Sequence, residues 1–200
     1  MDVREKIIER AVMLFRREGI RAVTMDYLAN NIGVSKRTIY EQFRDKFDLL
    51  SCTIQNELQK RDDRMDQVVS ESSNVLEILV EAFKVGSESL KNTNPVYIKD
   101  LEIYYPEIWN NIIVKKRQED MVNFGKLLER GIKEGYFRSN LNIKLTAKIF
   151  QEQMAVMGRT DIFPPDEYPP TELFQTLFIN FVRGICTVEG IKELEALLNR

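Results

Sequence analysis

The stretch from Gly33 to Phe43, "GVSKRTIYEQF", decides how the whole chain is read. On a helical wheel starting after Ser35, Ile39 and Phe43 fall on one side. Arg37 and Glu41 lie opposite, with Thr38 near them and Lys36 and Tyr40 on the flanks. Two apolar residues therefore hold the helix, and its beginning is left free to face a partner. A helix N-terminus favours anions, and Ser35, Lys36, Arg37 and Thr38 all donate hydrogen bonds. Phosphates and base edges in a DNA major groove call for that combination.

The residues upstream supply the support such a helix needs. Apolar positions at Ile7, Ala11, Leu14 and Phe15 predict a first helix over about Val3 to Glu18. Gly19 is placed to end it in a left-handed conformation, with Ile20 folding back on Phe15. Thr24 is a good N-cap for a second, short helix, and Val23 before it is spaced to pack on Leu28. That helix stops at Gly33, and Ser35 caps the third, with Val34 and Ile39 repeating the staple spacing. Ala29 is small where the two helices must cross. Two short helices joined by a tight turn and backed by a third are the helix-turn-helix pattern. Asp45 is expected to cap a long fourth helix, with Asp48 in its first turn, where a carboxylate suits the helix dipole.

The rest of the chain is helical in pattern and shows no internal repeat. The fourth helix is expected to reach about Val69, where "SESSN" breaks it. Asn74 starts a fifth, to about Lys91, and Pro95 a sixth after the turn "NTNP". Pro106 interrupts "VYIKDLEIYYPEIW", and a seventh helix follows to about Ile132. Asn142 starts an eighth, to about Gly158; "FPPDEYPP" cannot continue it. Thr171 begins a ninth, and Gly190 sets off a last amphipathic turn or two. No run alternates with period two, so the expected class is all-α, about nine to ten helices and no sheet.

Composition narrows the chemistry. The 200 residues carry a net charge of −2. Ten basic and eight acidic residues fall in the first 50, a slight excess that permits nucleic-acid binding there. With no histidine in the sequence, a Ser-His-Asp or Cys-His enzyme and a histidine-built zinc hydrolase are excluded. No phosphate-binding glycine loop occurs. No apolar run reaches the ~18 residues of a membrane span, and "MDVREKIIERA" has no signal segment, so a cytoplasmic protein without a membrane partner is expected. Cys52 and Cys186 are then two reduced thiols, Cys52 being the one placed early in the fourth helix, where a redox switch would sit. No cofactor is expected.

"TMDYLANNIGVSKRTIYEQFRDKFDLL" closely resembles the DNA-binding domain of the TetR (tetracycline repressor-like) transcriptional regulators. The shared pattern is Thr24, Leu28-Ala29, Gly33-Val34-Ser35, Thr38-Ile39-Tyr40, Phe43 and Lys46. Arg37 departs from it, since many members have glycine there. Beyond residue 50 the resemblance is weaker and rests on helix lengths, "YPEIW" and "KEGYF". The resemblance implies a DNA-binding domain over residues 1–48 and a ligand-binding and dimerisation domain over 49–200. It implies that Thr24, Tyr40 and Lys46 hold phosphates and that Ser35, Lys36, Arg37 and Thr38 face the groove. Thr24 and Ser35 are caps in either case. Tyr40 has a second reading as a half-buried core aromatic, Lys36 and Lys46 as solvated charges, and Arg37 as the partner of Glu41.

By the same resemblance the protein is a homodimeric repressor of a pseudo-palindromic double-stranded operator, released by a small organic effector. Tyr97, Tyr104, Tyr105 and Trp109 are candidate pocket residues, with ordinary core packing the other reading. Leu173, Phe174, Leu177, Phe178 and Phe181 give the ninth helix more apolar surface than one side needs. They are candidates for the dimer interface, with a fully buried core helix as the alternative. Two other functions remain open on sequence alone: a helical interaction module without operator binding, and a helical enzyme built on carboxylates.

Overall fold

A computed structural model describes residues 2–199. It is all-α, with eleven α-helical segments among those residues, one of them a single turn. The helices are α1 Val3–Glu18, α2 Met25–Ile32, α3 Lys36–Gln42, α4 Lys46–Glu71, α5 Val75–Lys91 and α6 Pro95–Tyr104. The one-turn α7, Pro106–Ile108, and a π-helical stretch, Trp109–Val114, lead into α8, Lys115–Lys133. α9 Ile143–Ala155, α10 Pro170–Ile185 and α11 Val188–Leu198 complete the chain. The one β-type pairing among the described residues is an isolated bridge between Phe137 and Cys186.

The helix starts follow from their caps. Thr24 accepts from the Tyr27 N–H at 3.1 Å and Ser35 from the Thr38 N–H at 3.0 Å. Asp45 accepts from the Asp48 N–H at 2.8 Å while Asp48 accepts from the Arg44 N–H at 3.0 Å, a reciprocal box that begins α4. Asn74, Asn94 and Asn142 cap α5, α6 and α9 in the same way. Each such cap is worth on the order of 1 kcal/mol.

Packing divides the chain into two compact units, and the cut differs from a boundary drawn after residue 48. One unit is Met1–Arg64 with Asn92–Ile113; the other is Met65–Lys91 with Val114–Arg200. α6 and the turn after it thus belong to the unit that contains the helix-turn-helix, because Tyr97, Leu101 and Ile108 are buried in the same core as Ile7, Phe15, Leu28, Ile39 and Leu50. α4 continues without a break from the first unit into the second. The second unit has its own core, formed by Val75, Leu76, Leu79, Leu128, Phe137, Val182 and Leu194. Six phenylalanines extend it: Phe83, Phe124, Phe150, Phe174, Phe178 and Phe181.

Three local expectations are corrected. Gly190 does not set off the last helix; it lies inside α11, which Thr187 caps. A Cβ at Gly190 would sit 2.2 Å from the Tyr136 carbonyl oxygen, so glycine is there for close packing. Pro106 is followed by a π-helical stretch before α8 rather than by one continuous helix. Gly19 ends α1 at φ 86° and ψ 157°, an extended mirror conformation and not the left-handed helical one.

Candidate nucleic-acid interface

The first unit presents α3 as a short helix held from beneath. Within it Ile39 is buried, and Phe43, directly after it, is buried too. Gly33 takes φ 75° and ψ 36°, and both its N–H and that of Val34 bond to the Ala29 carbonyl. This left-handed turn sets the angle at which α3 leaves α2. Glycine, lacking a Cβ, takes this conformation without steric cost.

The residues expected to read DNA are grouped at the start of α3. Ser35 Oγ lies 2.8 Å from Thr38 Oγ1, so the cap and the second hydroxyl form one small donor and acceptor pair. Lys36, Arg37 and Tyr40 are exposed. Lys36 Nζ donates to Asp26 Oδ2 at 2.8 Å, and that hydrogen bond raises its pKa, keeping it a cation. Arg37 Nε donates to Glu41 Oε1 at 3.0 Å with 88% of its side chain exposed. Exposed pairs of this kind contribute little, so both basic groups are free to exchange a carboxylate for a phosphate or a base. Thr24 is exposed at the start of α2 and serves there as a cap.

Lys46, which the resemblance places on a phosphate, makes its hydrogen bond within the protein. Its side chain is half-buried, and Nζ donates to the Ile20 carbonyl at 2.5 Å, above the Phe15 ring. Burial lowers its pKa, opposed by the charge of Asp100. The exposed cation at this end of the head is Arg44, whose side chain is only loosely paired, with Asp48 at 3.8 Å. Nothing in the motif singles out Arg44; its presentation follows from the turn between α3 and α4.

The four aromatics proposed for a pocket are all in the first unit. Tyr97 is core, and desolvation raises its hydroxyl pKa well above the usual tyrosine range. Tyr105 and Trp109 pack against the same core. Tyr104 is 51% exposed and carries the Arg21 guanidinium 4.4 Å above its ring. Two open recesses, of about 350 and 560 Å³, lie in the second unit. The larger is lined by Phe83, Thr176, Asn180, Arg183 and Glu195 among others, and by none of the four aromatics.

The proposed dimer residues divide in two. Phe178 is 5% exposed, within ring contact of Phe83, Phe150 and Phe174. Phe174 and Phe181 are partly buried in that core too. All three pack in the core of the protomer itself. Leu173 and Leu177 keep partial exposure, and α9, which packs on α10, leaves Leu145 and Ile149 exposed.

Cys186 is buried and its thiol pKa is pushed up to about 11 by desolvation. Cys52 is half-buried and accepts from Arg4 Nη2 at 3.3 Å. Among the described residues, no group of three or more His, Cys, Asp or Glu is arranged to hold a metal. No helix among them is long and apolar enough to cross a membrane.

Residues 7–51 match the family described as bacterial regulatory proteins, tetR family. The chain is 22% identical over 191 residues to a protein of Mycobacterium tuberculosis described as the HTH-type transcriptional repressor KstR2, covering 94% of each. Among solved structures it is similar to a TetR-family transcriptional regulator from Agrobacterium tumefaciens, with a TM-score of 0.75 and 16% identity over 92% of this chain and 97% of that one. It is also similar to a Bacillus subtilis regulator, FadR, solved in complex with stearoyl-CoA, with a TM-score of 0.65 and 19% identity over 90% and 98%.

Proposed function

The chain belongs to the tetR family of bacterial regulatory proteins, and on that premise we propose that it is a homodimeric, effector-released repressor of a pseudo-palindromic DNA operator. The observation that carries this reading is the start of α3. Lys36, Arg37, Thr38 and Tyr40, with the cap Ser35 just before them, lie on a helix of which only Ile39 is buried. Lys36, Arg37 and Arg44 supply the charge that displaces counterions from a duplex, and the Ser35–Thr38 pair and Arg37 supply groups that bond base edges. Tyr40 and the α2 N-terminus at Thr24 flank them for phosphate contacts. The test is titration of a fluorescent duplex from 50 to 200 mM salt. A regulator of this kind loses affinity steeply with salt and retains a preference for one sequence. Binding that is absent, or the same on every sequence, refutes it.

The second copy is proposed to dock on the residual apolar surface of α9 and α10, at Leu145, Ile149, Leu173 and Leu177. Leu177→Glu is expected to give a folded monomer in sedimentation velocity with its helical circular dichroism intact. A variant that still sediments as a dimer refutes this surface, and a wild-type monomer at micromolar concentration refutes the dimer. Release is proposed to follow binding of a small, largely apolar molecule in the phenylalanine-rich second unit. Support comes from the composition of that core and from α4, which is continuous from the head into that unit. The structurally similar Bacillus subtilis regulator is solved in complex with stearoyl-CoA, a ligand of the class proposed. The effector must favour the non-binding state, and a swing from 1:99 to 99:1 takes about 5.5 kcal/mol of differential affinity.

A further inference from the structure

We propose that Asp100 is a positioning residue for DNA binding, which holds the connection between α1 and α2 from its place on α6; the proposal rests on the operator-binding reading. The connection has no regular structure from Gly19 to Thr24, so its peptide groups need partners elsewhere. Asp100 is 6% exposed and accepts from the Arg21 N–H at 3.0 Å. Lys46 donates to the carbonyl of the residue before, Ile20, and its ammonium feels the Asp100 charge. One peptide of the connection is thereby gripped on both sides by two oppositely charged side chains.

The neighbouring contacts repeat the attachment. Arg21 Nη1 donates to the Tyr104 hydroxyl at 2.9 Å. The Asn94 N–H donates to the Arg16 carbonyl at 2.7 Å, and Asn94 Nδ2 to the Arg17 carbonyl at 3.2 Å, so the residue that caps α6 also finishes α1. Gly19 makes the approach possible. A Cβ there would stand 3.1 Å from Val96 Cγ1 and 3.2 Å from Asp100 Oδ2, and φ is +86°. Thr24 follows Arg21 by three residues and caps α2, which carries α3. Displacing the connection therefore shifts the reading helix, although Asp100 touches no DNA.

The test compares Asp100→Ala and Asp100→Asn on the full-length protein. Asparagine keeps an oxygen for the Arg21 N–H and loses the charge facing Lys46; alanine loses both. Asp100→Ala is expected to weaken binding to the duplex recovered by selection about tenfold or more. Binding to random duplex at low salt should stay the same, and Asp100→Asn should recover part of the loss. Should the alanine variant fail to fold, Asp100→Asn serves the same comparison with a smaller loss. Wild-type affinity in the folded variants, or an equal loss on random duplex, overturns the proposal. If the wild-type protein binds no operator, the functional reading fails by itself. Amide exchange at Arg21 then still tests the attachment without DNA. Exchange about tenfold faster in Asp100→Ala supports it, and unchanged exchange overturns it.

Discussion

Phe178→Glu is expected to unfold the second unit rather than to separate a dimer. Its ring lies 5.6 Å from that of Phe83, 5.7 Å from Phe150 and 5.5 Å from Phe174, between α5, α9 and its own helix. Losing a buried phenylalanine costs about 3–5 kcal/mol. An unpaired carboxylate in the same place adds a desolvation penalty of several kcal/mol unless it stays protonated. The sum is comparable with the 5–15 kcal/mol that holds a typical domain together. Thermal melts and solubility should therefore show collapse of the fold, in contrast to the folded monomer expected of Leu177→Glu. A soluble Phe178→Glu monomer with a normal melting temperature would return Phe178 to the interface.

Arg37→Ala is expected to relax preference at one base pair in each half-site, at a cost of about 1–3 kcal/mol per contact if the guanidinium binds a base bidentately. Its exposed pairing with Glu41 is too weak to prevent that. Arg44→Ala should instead weaken all sequences alike and flatten the salt dependence by about one unit of slope. Lys46→Ala is expected to behave as neither. Its ammonium is spent on the Ile20 carbonyl, so the variant should disturb the α1–α2 connection and resemble Asp100→Ala. Parallel titrations of the three variants on matched and single-substituted duplexes separate these outcomes. An equal shift on every duplex for Arg37→Ala would remove its base-reading role.

Local rules made most of the head legible in advance. Thr24, Ser35 and Asp45 are caps in the structure as in the sequence, because capping depends on residues only three apart. Gly33 is the same kind of signal, a turn that only glycine takes easily. What depends on tertiary contact was not legible. Lys46 turns inward because the Ile20 carbonyl, distant in sequence, lies beside it. Gly190 looks like a break until Tyr136 is found packed where its Cβ would be.

α10 shows the limit most plainly. A helix apolar on more than one side suits a dimer face and a protomer core equally well. Only the positions of Phe83, Phe124 and Phe150 decide that Phe174, Phe178 and Phe181 belong to the core. Tyr97, Tyr104, Tyr105 and Trp109 cluster in sequence, yet α6 and the segment that follows it distribute them between core and surface of the first unit.

Operator recognition is tested most directly by selecting bound duplexes from a random pool with the purified protein. Two copies of α3 in successive major grooves require an inverted repeat, its halves about one helical turn or a multiple apart. Enrichment of such a repeat is the predicted result, with an affinity that falls steeply between 50 and 200 mM salt and that Arg37→Ala weakens. A pool that emerges without an enriched sequence, or with an asymmetric one indifferent to Arg37→Ala, would contradict it.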